Sequence, residues 1–215
     1  MTIRVARKRA DAYQHGDLRA ALIQAGLKLL GESGVRGLSL RAAAQLAGVS
    51  HAAPYRHFHD QDALVAAIAE EGFRLLTRRM LEELAACKST DIFVRLRASA
   101  RGYVCFATEH PGYFRTIFGG VIAEGAEAKS PALRAAGEAA YRVLRDLVSD
   151  GIDKGHLRAG DADETSLAAW SMVHGLSMLL VEGQLGALGT QPAKIRGVTD
   201  ALVRLLESGL ASERN

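Results

Sequence analysis

SLRAAAQLAGVSHAAPYRHF, residues 39–58, is the stretch on which the fold turns. It reads as two short helices joined by a tight turn. Ser39 offers its side-chain oxygen as N-cap to a helix over about 40–47. Ala44 is small enough for a second helix to cross the first closely. Four positions on, Gly48 can take the left-handed backbone that the turn demands. Val49 plugs the angle between the helices, and Ser50 caps the second one, over about 51–58. That second helix displays His51, Ala52, Ala53, Tyr55, Arg56 and His57. Small residues at its start permit close approach to a major groove, and the polar heads beyond them can bond base edges or phosphates. Pro54 falls at the fourth helical position and removes an early backbone hydrogen bond, so this helix should be short and its first turn irregular.

Outward from this segment the apolar spacing is helical almost throughout. Leu18, Leu22, Ala25 and Leu29 mark one face of an entry helix that Gly31 and Gly34 end. Asp60 can cap a longer helix over about 61–86. Phe93, Leu96, Ala100, Tyr103 and Ala107 set the face of the next, about 91–108. His110-Pro111-Gly112 is a break, followed by a short aromatic helix, 113–118, and a loop through Gly119, Gly120 and Gly125. Leu133 begins a helix that ends near Gly155. Asp161 or Asp163 can cap one of about 164–185, which is apolar on nearly every side and must be buried in a core or against another subunit. Residues 186–189 interrupt, and the last helix spans about 192–211. The expectation is an all-α chain of about nine helices without strands. It has a basic arm (1–14), an N-terminal three-helix unit built around the helix-turn-helix (15–60) and a helical C-terminal domain (61–215).

Charge singles out one end. Residues 1–60 carry nine Lys and Arg against four acids, a net of +5, which leaves −2 for the rest of a chain whose total is +3. A basic first quarter on a near-neutral body suits a polyanion met at that end alone. Hydrophobic residues make up 48% of 215, enough to build a core without disulfides or metal. Cys87 and Cys105 stand apart, with no spaced metal ligands around them; they read as small core residues in a reducing cytoplasm, with a redox-sensing pair as the alternative. The most apolar stretch, Leu167 to Val181, is too short for a membrane span and contains Ser171, His174 and Ser177. There is no G-x-S-x-G and no phosphate-cradling glycine loop, which argues against an enzyme; no catalytic residue, metal or cofactor is expected.

The run from Asp17 to Leu76 resembles the TetR family of regulators. It carries Ala47-Gly48-Val49-Ser50, then Tyr55-x-His57-Phe58, then Leu64. The resemblance implies that Tyr55 and His57 touch DNA, that Phe58 locks the recognition helix to the core, and that Ser39 and Ser50 bind phosphates. Gln61 stands where the family usually has Lys, so a charged phosphate contact would become a neutral one. Pro54 stands where a larger aliphatic is common. The full candidate DNA-binding set is Ser39, Arg41, Ser50, His51, Ala52, Ala53, Tyr55, Arg56, His57 and Gln61.

The C-terminal half is similar to a Trp-His-Gly (WHG) subgroup of the family, on AWSMVHG (169–175) and EHPGYFRTIF (109–118). That likeness implies a domain that both dimerises and encloses a ligand. Trp170, His174 and Met178 share one helix face, and Gly175 would let a second helix approach. The candidate pocket lining is Leu76, Met80, Tyr103, Phe106, Tyr113, Phe114, Phe118, Tyr141, Trp170, His174 and Met178, suited to a mostly apolar effector. His174 has three readings: a structural histidine, a ligand contact, or a tautomer-dependent switch. The expected partners are a palindromic double-stranded operator, a small molecule, and a second copy joined through helices 164–185 and 192–211. The function read from these features is a cytoplasmic, ligand-responsive regulator, most simply a repressor released from its operator. A constitutive DNA binder or activator with a filled C-terminal core fits the same pattern, and a helical enzyme is the remote alternative.

Overall fold

A computed structural model describes residues 15–122 and 130–210. The expected basic arm and Gly125 lie outside them. Among the described residues there are eight α-helices and no β-strand. The helices are α1 (His15–Gly37), α2 (Leu40–Leu46), α3 (Gln61–Ala86), α4 (Ile92–Glu109), α5 (Pro111–Phe118), α6 (Pro131–Asp153), α7 (Ala162–Val181) and α8 (Pro192–Leu210). The chain divides into two compact units between Leu64 and Val65.

In the N-terminal unit, α1 runs through Gly31 and kinks at Gly34, whose φ of 64° only glycine adopts readily. Gly31 therefore does not end the helix, because nothing in its backbone departs from helical geometry. Leu22, Ile23, Leu38, Leu40, Ala43, Ala44, Phe58 and Leu64 are buried and form the core. Burial of Ala43 and Ala44 is complete.

In the C-terminal unit, α4 is the central helix, packed against α5, α6, α7 and α8. It also meets α3 at Gly102. A methyl group there would sit 2.6 Å from Met80 Cα and 2.7 Å from the Arg79 carbonyl, so only glycine allows this crossing. Side chains cap the helix starts. The Asp91 carboxylate accepts from the Phe93 and Val94 amides at 2.8 and 3.1 Å. Asp161 accepts from Asp163 and Glu164 at 2.6 and 3.2 Å. Charged pairs tie the outer helices to α4. Arg101 donates two bonds to Asp200 on α8, at 2.6 and 2.5 Å, and Arg97 pairs with Glu207.

Two further differences from the sequence reading bear on the site region and the outer helices. α7 stops at Val181 rather than near 185, because Gly183 (φ 70°) turns the chain and the Glu182, Gly183 and Gln184 amides bond back onto Met178, Leu180 and Leu179. The second difference, in residues 51–58, concerns the candidate site.

Candidate nucleic-acid interface and ligand cavity

The first half of the 39–58 segment is built by its caps. The Ser39 hydroxyl accepts from the Ala42 amide at 3.0 Å and starts α2. At the other end Gly48 takes φ 71°. Its amide donates to the Gln45 carbonyl at 3.2 Å, and the Val49 amide to that of Ala44 at 3.0 Å, a paired C-terminal closure that spends two otherwise unbonded carbonyls.

The second half is not an α-helix. Residues 51–53 are turns, and only Pro54–Arg56 form a single 3-10 turn. Pro54 is the reason: it has no amide to donate to residue 50, so a helix cannot propagate across it. The Ala53 amide closes on the Ser50 carbonyl at 3.0 Å instead, and the His57 and Phe58 amides both reach the Pro54 carbonyl at 2.9 Å. Ser50 thus serves through its backbone and not as the side-chain cap of a long helix. For this reason eight α-helices rather than nine stand among the described residues.

The exposed face of this segment is sharply defined. Pro54 and Phe58 are buried, and the Arg19 guanidinium lies 5.8 Å above the Phe58 ring. His51, Ala52, Tyr55 and Arg56 face solvent, with Tyr55 54% exposed, and Ala53 and His57 are half-buried beside them. Arg41 and Ser50 are also exposed. Gln61 has a structural bond: its amide donates to the Val35 carbonyl at 3.1 Å, which ties the start of α3 to the end of α1. Asp60 caps that same start through the Ala63 amide at 2.8 Å.

In the C-terminal unit a cavity of about 490 Å³ lies among α3 to α8. Phe73, Leu76 and Met80 of α3, Leu96, Ser99, Ala100 and Tyr103 of α4, and Ile117 and Phe118 of α5 line it. Gly137, Glu138, Ala140, Tyr141 and Leu144 of α6, Ala169, Trp170 and Val173 of α7, and Val203 and Leu206 of α8 complete it. Of the eleven residues expected from sequence, Leu76, Met80, Tyr103, Phe118, Tyr141 and Trp170 are on this wall. Phe106, Tyr113, Phe114, His174 and Met178 are not.

The five lie elsewhere for identifiable reasons. Phe106 and Phe114 are fully buried against one another, ring centroids 6.5 Å apart, with the His110 ring 5.9 Å from that of Phe106. Tyr113 is buried beside His110. Met178 is two turns past Trp170, half-buried. The His174 ring stands behind the wall, 4.8 Å from Phe118, 5.5 Å from Phe114 and 5.4 Å from Trp170. Gly175, expected to admit another helix, has, beyond its own helical turn, no atom of the described residues within 4 Å of where a Cβ would stand.

One polar cluster interrupts the apolar wall. The Trp170 indole N–H donates to the Tyr103 hydroxyl at 3.1 Å, and that hydroxyl shares a hydrogen bond with His174 Nδ1 at 2.8 Å. Burial pushes the Tyr103 phenol well above its usual range, partly offset by the Trp170 bond. Burial also lowers the His174 pKa, which favours the neutral imidazole. Among the wall residues that sequence reasoning missed are Ser99, Leu96, Gly137 and Leu144. Their signal was positional: each stands three, four or seven residues from Tyr103 or Tyr141, on the same helix face.

Cys87 and Cys105 are free and half-buried. Among the described residues no cluster of His, Cys, Asp or Glu could hold a metal ion, and no helix is long and apolar enough to cross a membrane.

Comparison with known families fits this geometry. Residues 96–206 match the tetracyclin repressor-like C-terminal domain, and residues 22–68 match the bacterial regulatory proteins of the tetR family. The chain belongs to the TetR family. TetR proteins are DNA-binding transcriptional regulators and not enzymes, which accounts for the turn and its exposed face. The Trp-His-Gly subgroup is not separately identified. A protein of unknown function from Rhodococcus sp. RHA1 is similar at 34% identity, with a TM-score of 0.76 over 94% of this chain and 100% of that one. A helix-turn-helix regulator of Mycobacterium tuberculosis is 28% identical over 159 residues, 72% of this chain. The chain spans less than two thirds of the curated regulators it matches, 47% of one from Bacillus subtilis and 64% of the mycobacterial one. The fold alone is shared with the regulator FadR from Bacillus subtilis, solved in complex with stearoyl-CoA (14% identity, TM-score 0.73, 88% of this chain and 98% of that one).

Proposed function

We propose that this TetR protein is a cytoplasmic repressor that binds a palindromic operator as a homodimer and leaves it when a small, largely apolar molecule enters the C-terminal cavity. The observation that carries the reading is that cavity: about 490 Å³, walled by six helices, with Glu138 as its one charged lining residue among those described. A constitutive regulator with a solid core would have no use for such a space. The wall residues Phe73, Leu76 and Met80 belong to α3, whose first turn, Gln61–Leu64, lies in the N-terminal unit. A ligand that prefers one setting of α3 therefore has a covalent route to the DNA-reading unit.

In this reading residues 15–60 contact DNA and 61–215 bind ligand and partner. His51, Ala52, Ala53, Tyr55, Arg56 and His57 meet the groove. Ser39, Arg41, Ser50 and Gln61 meet phosphates, with residues 1–14 as an added basic arm. The second copy docks on α7 and α8. Leu167, Ser171, Gly175 and Leu179 recur every fourth residue along α7. Leu167 is 53% exposed, Leu179 46%, and Leu205 on α8 72%. The empty space over Gly175 lies in the same row and suits a helix from a partner. FadR, of the same fold, holds an acyl thioester of coenzyme A. Among the described residues the wall offers no cation for phosphates, which favours a neutral effector.

The test is fluorescence anisotropy on duplex DNA from upstream of the protein's own gene, across a salt series and with a panel of neutral apolar molecules. Tight, salt-dependent binding is expected, with affinity cut by at least one compound that enters the cavity. DNA affinity untouched by every compound that binds the protein would refute ligand release.

A further inference from the structure

Tyr103 is 6% exposed, lies on the cavity wall, and is already engaged twice. A phenol has three hydrogen-bonding positions, one donor and two acceptors. Trp170 Nε1 fills one acceptor position, at 3.1 Å. The bond to His174 Nδ1, at 2.8 Å, fills a second, whose identity follows the imidazole tautomer. If Nδ1 is bare, Tyr103 donates to it and keeps one lone pair. If Nδ1 carries the proton, it donates to Tyr103, and the phenol keeps its own hydrogen. Either way one position is left, and no third partner engages it among the described residues.

Ser99 stands one turn earlier on the same face of α4, is 3% exposed, and lines the same cavity. Two hydroxyl-bearing residues thus stand one helical turn apart on a wall otherwise made of Phe, Leu, Met, Ala, Ile, Val and Gly, apart from Tyr141, Glu138 and Trp170. Tyr141 is directed elsewhere: its hydroxyl donates to the Asp163 carbonyl at 3.4 Å. Glu138 is exposed and 3.8 Å from Arg134.

We propose that the Tyr103 hydroxyl, with Ser99 beside it, is the polar anchor of the cavity, and that its ligands are neutral, flat, mostly apolar molecules bearing one alcohol or phenol group. A hydroxyl both donates and accepts, so it completes Tyr103 in either tautomer of His174. An ether or ketone completes it in only one, and a hydrocarbon in neither. A carboxylate would enter a low-dielectric space whose one charged wall residue, among those described, is the like-charged Glu138, and is disfavoured. The inference rests on the cavity being a ligand site and adds which chemistry that site selects.

The experiment displaces 1-aminoanthracene, a neutral dye that brightens in apolar surroundings, from the full-length protein. The competitors are naphthalene, 2-naphthol, 2-methoxynaphthalene and 2-naphthoate. In the wild type, 2-naphthol should bind about tenfold tighter than naphthalene, the effect of one satisfied neutral hydrogen bond in a buried site, with 2-methoxynaphthalene at most equal to the naphthol. The anion should bind more weakly than either. In Tyr103→Phe, which keeps the ring, the preference should fall to about twofold or less while naphthalene affinity holds; Ser99→Ala should reduce it in part. Wild-type affinity for 2-naphthol no greater than for naphthalene overturns the anchor while leaving the cavity as a ligand site, and so does a preference that survives in Tyr103→Phe. If that variant does not fold, the wild-type series alone decides. If neither dye nor any naphthalene binds, the ligand-site reading fails and the anchor fails with it.

Discussion

Gly102→Ala sets two well-measured effects against each other. Alanine in the middle of α4 should gain about 1 kcal/mol over glycine in helix propensity. The added methyl, however, would lie 2.6 Å from Met80 Cα, 2.7 Å from the Arg79 carbonyl oxygen and 2.9 Å from the Met80 amide nitrogen. Carbon atoms in contact rest roughly 3.5–4.0 Å apart, so α3 and α4 would have to separate by on the order of 1 Å. All three neighbours are backbone, which cannot turn aside as a side chain can. Overpacking of this kind costs about 1–3 kcal/mol or more, and here the upper end applies. The net expectation is about 2 kcal/mol of destabilisation, a melting temperature lower by about 4–8 °C for a chain of this size. The shift should also loosen the cavity, because Met80 and Tyr103 flank the crossing. Circular dichroism melts measure the first effect and dye affinity the second. Gly31→Ala is the opposing control: it lies on an exposed part of α1 with nothing within 4 Å of the new methyl, so propensity alone operates and the melt should hold or rise. A Gly102→Ala protein that melts at or above wild type would refute the reasoning.

Three further expectations follow from the same geometry. His174→Gln tests the buried imidazole. The fold lowers its pKa below 6.5, so its neutral form is the stable one; as the pH falls through 6.5 the unfolded chain takes up the proton first, and stability drops until the folded ring also titrates. Wild type should therefore lose more melting temperature between pH 7.5 and 5.5 than the glutamine variant, and equal losses would show that His174 is not the group responsible. Asp200→Asn leaves Arg101, 31% exposed on its side chain, without its twin bonds; the partial burial sets the loss at about 1–3 kcal/mol, and an Arg101→Met partner mutation should restore part of it in a double-mutant melt. Gly48→Ala meets no atom within 4 Å, so its cost is the positive φ alone, about 1–2 kcal/mol, read from chemical denaturation together with weaker DNA binding.

Much of the fold could be read because its signals were local. Ser39, Asp60 and Asp161 bond the amides just ahead of them, and Gly48 and Gly34 need a conformation other residues resist. The 51–58 segment kept its solvent face but not its helix. Polarity sets which side chains face water, whereas one missing amide at Pro54 decides the backbone hydrogen bonds. The cavity was half legible. Aromatic residues at helical spacing announce a packed interior, but spacing cannot say which side of an all-apolar helix meets empty space. Phe106 and Tyr103 are three residues apart on α4; Tyr103 meets the void and Phe106 meets Phe114. That choice depends on six helices at once, and no window of sequence contains it. Ser99 and Leu144, for their part, look like any other helix residues until their neighbours are in place.

Trp170 is the chain's one tryptophan. Because it sits on the cavity wall, with its N–H on Tyr103 and its ring beside His174, the protein carries its own optical gauge. Under excitation selective for indole, emission comes from a single place. Dry contents would move its colour toward the blue, and a charged imidazole next door would dim it in acid. Occupancy can thus be followed in unlabelled protein, even while it rides on DNA.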